Sequence, residues 1–259
     1  SGDKARLFLP NPLPDSPAFV DLPLDQTFAL FTLDATFLGL WHGKVPQLAW
    51  KLIRGGQPVA ESPPLVVTVN RIANDDPRLS KPTIDGAAAD GVLDVAQMQD
   101  SAQLRVAAWL LQVSRHCIWL RYDGFDKQGV ATEWVVWAGA PHASTSGLTT
   151  AAAIEWLRTL KDGSKLTVTF GVSFEKKADA ATMVRFPVQV YTIRAIELVV
   201  PVIDSIKDSA NIEIPPDGTT VDTTVTLTGT ASKGQRVQVL DGATSKGEPT
   251  ADPTTGIWT

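Results

Sequence analysis

Three histidines, one cysteine, a serine-rich loop and a few acidic pairs are the side chains in this sequence that could do chemistry. His42, His116 and His142 stand in turn or strand contexts, and none forms a His-x-x-x-His or Cys-x-x-Cys spacing, so they give no zinc ligand set. His116 and Cys117 are neighbours in an expected strand. Their side chains then point to opposite faces and cannot work as base and nucleophile. Cys117 reads as an inert small side chain, and a single cysteine excludes an internal disulfide. Ser144 and Ser146 lie in HASTSG, which lacks the Gly-x-Ser-x-Gly elbow that exposes a nucleophile between strand and helix. The pairs Asp75/Asp76 and Asp123/Asp126 would need an apolar pocket to raise one pKa and divide into acid and base. The flanking residues supply none, and these carboxylates read as solvated turn residues. No catalytic residue is assigned, and the chain is expected not to be an enzyme.

Aromatic residues give a better lead to a binding surface. In residues 117–122, Ile118, Leu120 and Tyr122 share one face and Trp119 and Arg121 the other, so an aliphatic core turns Trp119 outward. Trp134 and Trp137 have opposite parity, and a regular strand would expose one of them. Exposed tryptophans stack on sugars or bury against a partner; cover by a neighbouring module or by the helix expected at 150–160 is the favoured reading. The acidic turns Asp204, Asp208, Asp217 and Asp222 would suit a hard cation such as calcium. From Leu198 onward there are six Asp and two Glu against three Lys and one Arg. No Asp-x-Asp-x-Asp-Gly loop accompanies them, so ordinary turn geometry is the favoured reading and no cofactor is expected.

The elements that must hold these residues are strands. Val221, Val225 and Leu227, then Val237 and Val239, recur at odd positions among Thr, Gln and Arg, which gives each run one apolar and one wet face. Residues 231–235 supply a turn and Asp241-Gly242 a tight hairpin. Such half-buried strands pack as two sheets face to face. Residues 150–160 predict a short helix capped by Thr, with Ile154, Leu157 and Leu160 on one stripe, and residues 34–41 predict another. A linker is expected at residues 74–77 and a second junction at 197–201, directly after a strand at 188–196. Placing Gly43 on Gly163 aligns Leu48 with Val168, Trp50 with Phe170 and Leu52 with Val172, so the first two segments read as one kind of module. The 259 residues, 44% of them hydrophobic, suffice for one to three domains. A net charge of −5 argues against nucleic-acid binding. No apolar run approaches the roughly 20 residues that cross a bilayer. The Ser1-Gly2 start, without Met, reads as the scar of a removed tag, so the missing leader says nothing about export.

The C-terminal stretch carries a resemblance. Its TLTGTA at residues 226–231, Gly234 and Val237, Asp241-Gly242 and the final Gly256-Ile257-Trp258-Thr259 resemble the bacterial immunoglobulin-like repeats strung together in large surface and adhesin-type proteins, notably of pseudomonads. Pro82, Leu93-Asp94, residues 118–122, Gly124 and Gly163 more loosely resemble a repeat type found alongside them. The resemblance implies an all-β fold of tandem immunoglobulin-like β-sandwich modules with short helical turns: 1–77, incomplete or rebuilt at its N-terminus; 78–197, complete; and 198–259, ending before its last strands. It further implies calcium at module junctions in some members. The expected role is that of non-enzymatic spacer and adhesion modules of a secreted or surface-anchored bacterial protein, outside the cell. Expected partners are neighbouring modules and a host or cell-surface protein or glycan. The alternative is a carbohydrate-binding accessory module of a secreted hydrolase or toxin.

Overall fold

The computed structural model describes residues 2–24, 28–195 and 199–259. The chain divides into two compact units, Ser1–Arg194 and Ala195–Thr259, so the first two expected modules share one unit. The expected junction at 197–201 and the end of the strand expected at 188–196 lie partly outside the described residues.

The first unit opens with β1 (Lys4–Phe8) and β2 (Leu22–Pro23), followed by the helix α1 (Ala35–Leu40). Asp34 caps α1, its Oδ1 accepting from the Phe37 N–H at 2.8 Å, which satisfies one of the donors a helix start leaves free. Past the helix, Gly43 turns the chain at φ 71°, a left-handed conformation open to glycine at little cost. Then come β3 (Gln47–Arg54), β4 (Gln57–Glu61) and β5 (Leu65–Val66). β3 pairs antiparallel with β1 and with β4, and the β3–β4 turn is Gly55-Gly56, both at positive φ as a type I′ hairpin requires. Phe37 and Trp41 of the helical turn pack with Leu9, Leu48 and Val69 into a cluster of their own. β5 is short, because only Leu65 and Val66 find a partner in β3.

Further along the same unit lie β6 (Thr83–Ile84), β7 (Val92–Asp94), β8 (Gln103–Val106), β9 (His116–Phe125), β10 (Ala131–His142) and β11 (Leu148–Ala151). They are followed by α2 (Ile154–Leu157), β12 (Lys165–Ser173), β13 (Val184–Arg185) and β14 (Gln189–Arg194). One sheet runs β10-β9-β12-β14-β7 with β13 on β12; the other runs β11-β8-β6. Pairing is antiparallel except between β14 and β7. Ile118, Leu120 and Tyr122 from β9 and Leu166, Val168, Phe170 and Val172 from β12 are buried, as are Leu104, Val106 and Leu148 of the smaller sheet. Each such side chain contributes roughly 1.5–3 kcal/mol on leaving water. Tyr191 on β14 accepts from the Ile84 N–H on β6 at 3.0 Å, a polar stitch between the layers. The architecture is an all-β sandwich.

Two local expectations are corrected here. Thr150 does not cap a helix: Thr150 and Ala151 lie in β11, opposite Leu104 and Gln103 of β8, and α2 keeps only one turn. Pairing with an open strand outweighs the modest helix preference of a Thr-Ala run. The stripe itself is real, since Ile154, Leu157 and Leu160 are all buried. The segment at 74–77 is no free linker either, because Asn74 accepts from the Arg185 N–H and Asp75 both pairs with the Arg185 side chain and donates its N–H to the Arg185 carbonyl.

The second unit has β15 (Val202–Lys207), β16 (Thr226–Thr230), β17 (Val239–Asp241), β18 (Thr244–Gly247) and β19 (Ile257–Trp258). They form a sheet ordered β15-β16-β19 and a β17-β18 hairpin, with Gly242 at positive φ in its turn. Ala231, Val237, Ala251 and Trp258 make the core, with Leu227 and Val239 against it. Val221 and Val225 do not join them and stay exposed, because the paired strand starts only at Thr226 and alternation sorts side chains only where a ladder exists.

Candidate functional site

The candidate surface sits on β9 and β10 of the large sheet. Directly opposed residues of an antiparallel pair share a face, so the register assigns each side chain. β10 pairs Trp134 with Tyr122 and Val135 with Arg121, then slips at Val136 and pairs Trp137 with Leu120 and Ala138 with Trp119. The extra residue is a β-bulge. It restores the parity that the spacing of Trp134 and Trp137 had broken, and both rings come to the Leu120/Tyr122 face. The strand is not the regular one that the sequence reading assumed, yet one of the two, Trp134, is exposed. Trp119 and Arg121 stand on the other face, so the four residues form two pairs and no single surface.

Each pair has its own surroundings. Trp134 is 47% exposed on β10, which ends its sheet, and Trp137 is half-buried with its ring 6.0 Å from that of His142, edge to face. Trp119 is half-buried beside Gly139, where an added Cβ would come within 3.1 Å of the indole and 3.4 Å of Ala178. Arg121 reaches Asp123 at 3.0 Å and Glu133 at 3.7 Å across an open face. Exposed pairs of this kind contribute about 0–1 kcal/mol, and they leave Arg121 able to exchange partners.

The other chemically capable residues have local roles. His42 Nε2 accepts from the Ile72 N–H at 2.7 Å, and His142 Nδ1 accepts from the Ser144 N–H at 3.1 Å. Burial holds both rings below the usual histidine pKa, helped at His42 by the Arg71 charge. His116 is almost fully buried, neither ring nitrogen has a partner among the described residues, and burial with the Lys176 charge lowers its pKa to about 4. Cys117 faces away from it, as the strand alternation requires, and burial pushes its thiol up. The HASTSG loop is pinned by Gln112, which accepts from the Gly147 N–H and donates to the carbonyls of Ser144 and Gly147. Asp76 is held at about 2 by the Arg78 guanidinium. Asp126 accepts from the N–H groups of Gln128 and Val130, closing the turn after β9.

The four acidic turn residues of the second unit are not gathered into one ligand set. Asp208 accepts from the Ala210 and Ile212 N–H groups and Asp222 from the Ser209 N–H and hydroxyl, while Asp217 adopts φ 62° in its own turn and Asp204 is exposed on β15. Among the described residues no three His, Cys, Asp or Glu side chains come together as a metal-holding group. Turn geometry accounts for Asp208 and Asp217, while Asp222 holds Ser209 from across the chain and Asp204 is a strand residue. Sequence reasoning passed over Arg115 and Lys176, which the fold brings to one cleft; both stand in loops and neither belongs to a motif.

No protein-family model matches the chain, and no curated protein matches it in sequence. No helix among the described residues is long and apolar enough to cross a membrane. What the geometry defines is a class, an all-β sandwich protein with an aromatic edge strand.

Proposed function

We propose that this chain is a non-enzymatic part of a large bacterial surface or secreted repeat protein, and that its immunoglobulin-like sandwiches act as spacer and adhesion modules. The observation that carries this reading is the division into two all-β units, the smaller with a core of its own around Trp258. A string of modules needs segments that fold on their own cores. The resemblance of residues 226–259 to bacterial immunoglobulin-like repeats adds to it. An antibody raised against the purified chain tests the proposal on the bacterium that makes it. Labelling of intact cells or of the culture medium is expected; labelling only after the cells are opened would overturn it.

The exposure of Trp134 favours a second reading, a carbohydrate-binding accessory module. Glycan-array binding that disappears in Trp134→Ala would support that reading over the spacer role. Aromatic stacking on a sugar face needs such an open ring.

A further inference from the structure

A cleft of about 620 Å³ opens inside the first unit, within the range of small-molecule sites, which runs from about 300 to 1,000 Å³. Its wall is apolar, from Leu13, Leu40 and Pro141, and its charged lining is Lys44, Arg115, Lys176 and Lys177 against Asp15 and Glu175. Cations exceed carboxylates by two in a chain whose net charge is −5. Clustering of one sign against the trend of the whole chain concentrates the opposite sign of ligand.

The charges are not all loose. Glu175 is clasped by Lys44 at 2.8 Å and Lys177 at 3.3 Å, and Lys44 also donates to the Leu40 carbonyl at 3.1 Å. Burial would raise the Glu175 carboxyl, but the two lysines outweigh it and hold the group ionised. Arg115 and Lys176 have no acidic partner among the described residues. Both are held at left-handed φ, 69° and 58°, and Asp15 joins them at 66°. Non-glycine residues in that region cost of order 1 kcal/mol each and cluster at ligand sites. Three of the seven in the described chain line this one cleft.

We propose that the cleft binds a compact dianion with an apolar body, its charges on Arg115 and Lys176 and its body against Leu13 and Leu40. A dicarboxylate and a phosphate monoester share this chemistry. The site is independent of the spacer reading.

Calorimetric titration of the purified chain with phthalate, phenyl phosphate, inorganic phosphate and neutral benzyl alcohol tests it. Phthalate or phenyl phosphate is expected to bind, more weakly as salt rises, and the tighter of the two assigns the source of the charge. The double variant Arg115→Asn/Lys176→Asn is expected to lose about tenfold or more in affinity, the scale of a charged hydrogen bond. Asn tolerates the left-handed backbone, so this variant keeps the loops, and an unchanged melting curve checks that it does. Absence of binding by both organic dianions, equal affinity in the double variant, equal binding of benzyl alcohol, or inorganic phosphate binding as tightly as phenyl phosphate would each overturn the proposal.

Discussion

Residues 35–54 and 154–173 run through the same order of elements: a short helix, a glycine at φ 71°, then a strand. Their strands end in different surroundings. In β12 every residue from Phe170 to Ser173 is buried, whereas β3 buries Leu48, Ala49 and Ile53 but leaves Trp50, the counterpart of Phe170, 42% exposed. The reason lies in the connection that leaves each strand. After β3 the chain turns at once through Gly55-Gly56 and returns beside it as β4 and β5 in the plane of the sheet, and Val69 covers only the Leu48 end. After β12 the chain loops through residues 174–183 and returns on both faces: Phe186 packs on Phe170 on the core face, and residues 182–183 cross the opposite face over Gly171 and Ser173. Met183 lies so close over Gly171 that an added Cβ would clash with its sulfur, and Thr182 meets Ser173 at 2.7 Å. Like local sequence thus yields like elements, while the length of the next connection decides how dry they become.

The largest expected effect separates the two aromatic positions. Phe170 is fully buried against Trp109 and Phe186, with ring centroids at 5.6 and 4.8 Å. Phe170→Ala should cost about 3–5 kcal/mol by lost transfer energy and a cavity, read as the shift of a urea unfolding midpoint. A cost near that of Trp50→Ala would break the comparison.

Next comes pH, at the point where the two stretches meet. Phe174, just after β12, packs between His42 and His116 with ring distances of 4.9 and 5.4 Å. His116 has a folded pKa of about 4, below its ordinary 6.5, so the unfolded chain binds more protons between those values. Its contribution is complete above pH 6.5 and is lost as pH falls toward 4, amounting to about 3 kcal/mol in full. Denaturant melts across this window should show that loss, and His116→Leu should flatten it. An unchanged slope in the variant would assign the acid sensitivity elsewhere.

Smaller effects test the shared syntax. Gly43→Ala and Gly163→Ala should each cost about 1–2 kcal/mol, because both force an L-residue into left-handed backbone. Space around Gly163 is open, while the new methyl at Gly43 would touch the Arg71 Cβ at 3.4 Å, so Gly43→Ala should be the costlier by a little. Smallest is Trp50→Ala, at about 1 kcal/mol, because the residue is already 42% exposed. Thermal melts of the three variants give the order.

The all-β class was legible because Ile118, Leu120 and Tyr122 alternate cleanly and are buried as that alternation requires. The first helix was expected at 34–41 and forms at Ala35–Leu40, where Asp34 supplies a cap the sequence reading had not singled out. Thr150 was not legible, because its conformation is decided by β8, more than forty residues earlier in the chain. The Val136 bulge was hidden for a similar reason: one residue too many shows only against the partner strand. Val221 misled because an apolar residue in phase with a strand looks the same whether or not the ladder reaches it. The cationic cleft draws on loops as far apart as Asp15 and Lys177, a convergence that no local spacing encodes.

Native-state hydrogen exchange tests most directly the claim that the chain returning through residues 174–186, and not the local sequence, seals β12. Amides of Phe170, Gly171 and Val172 should exchange only with unfolding of the whole first unit, and those of Trp50, Lys51 and Leu52 at least about tenfold faster through local opening. Equal protection of the two strands would contradict the account.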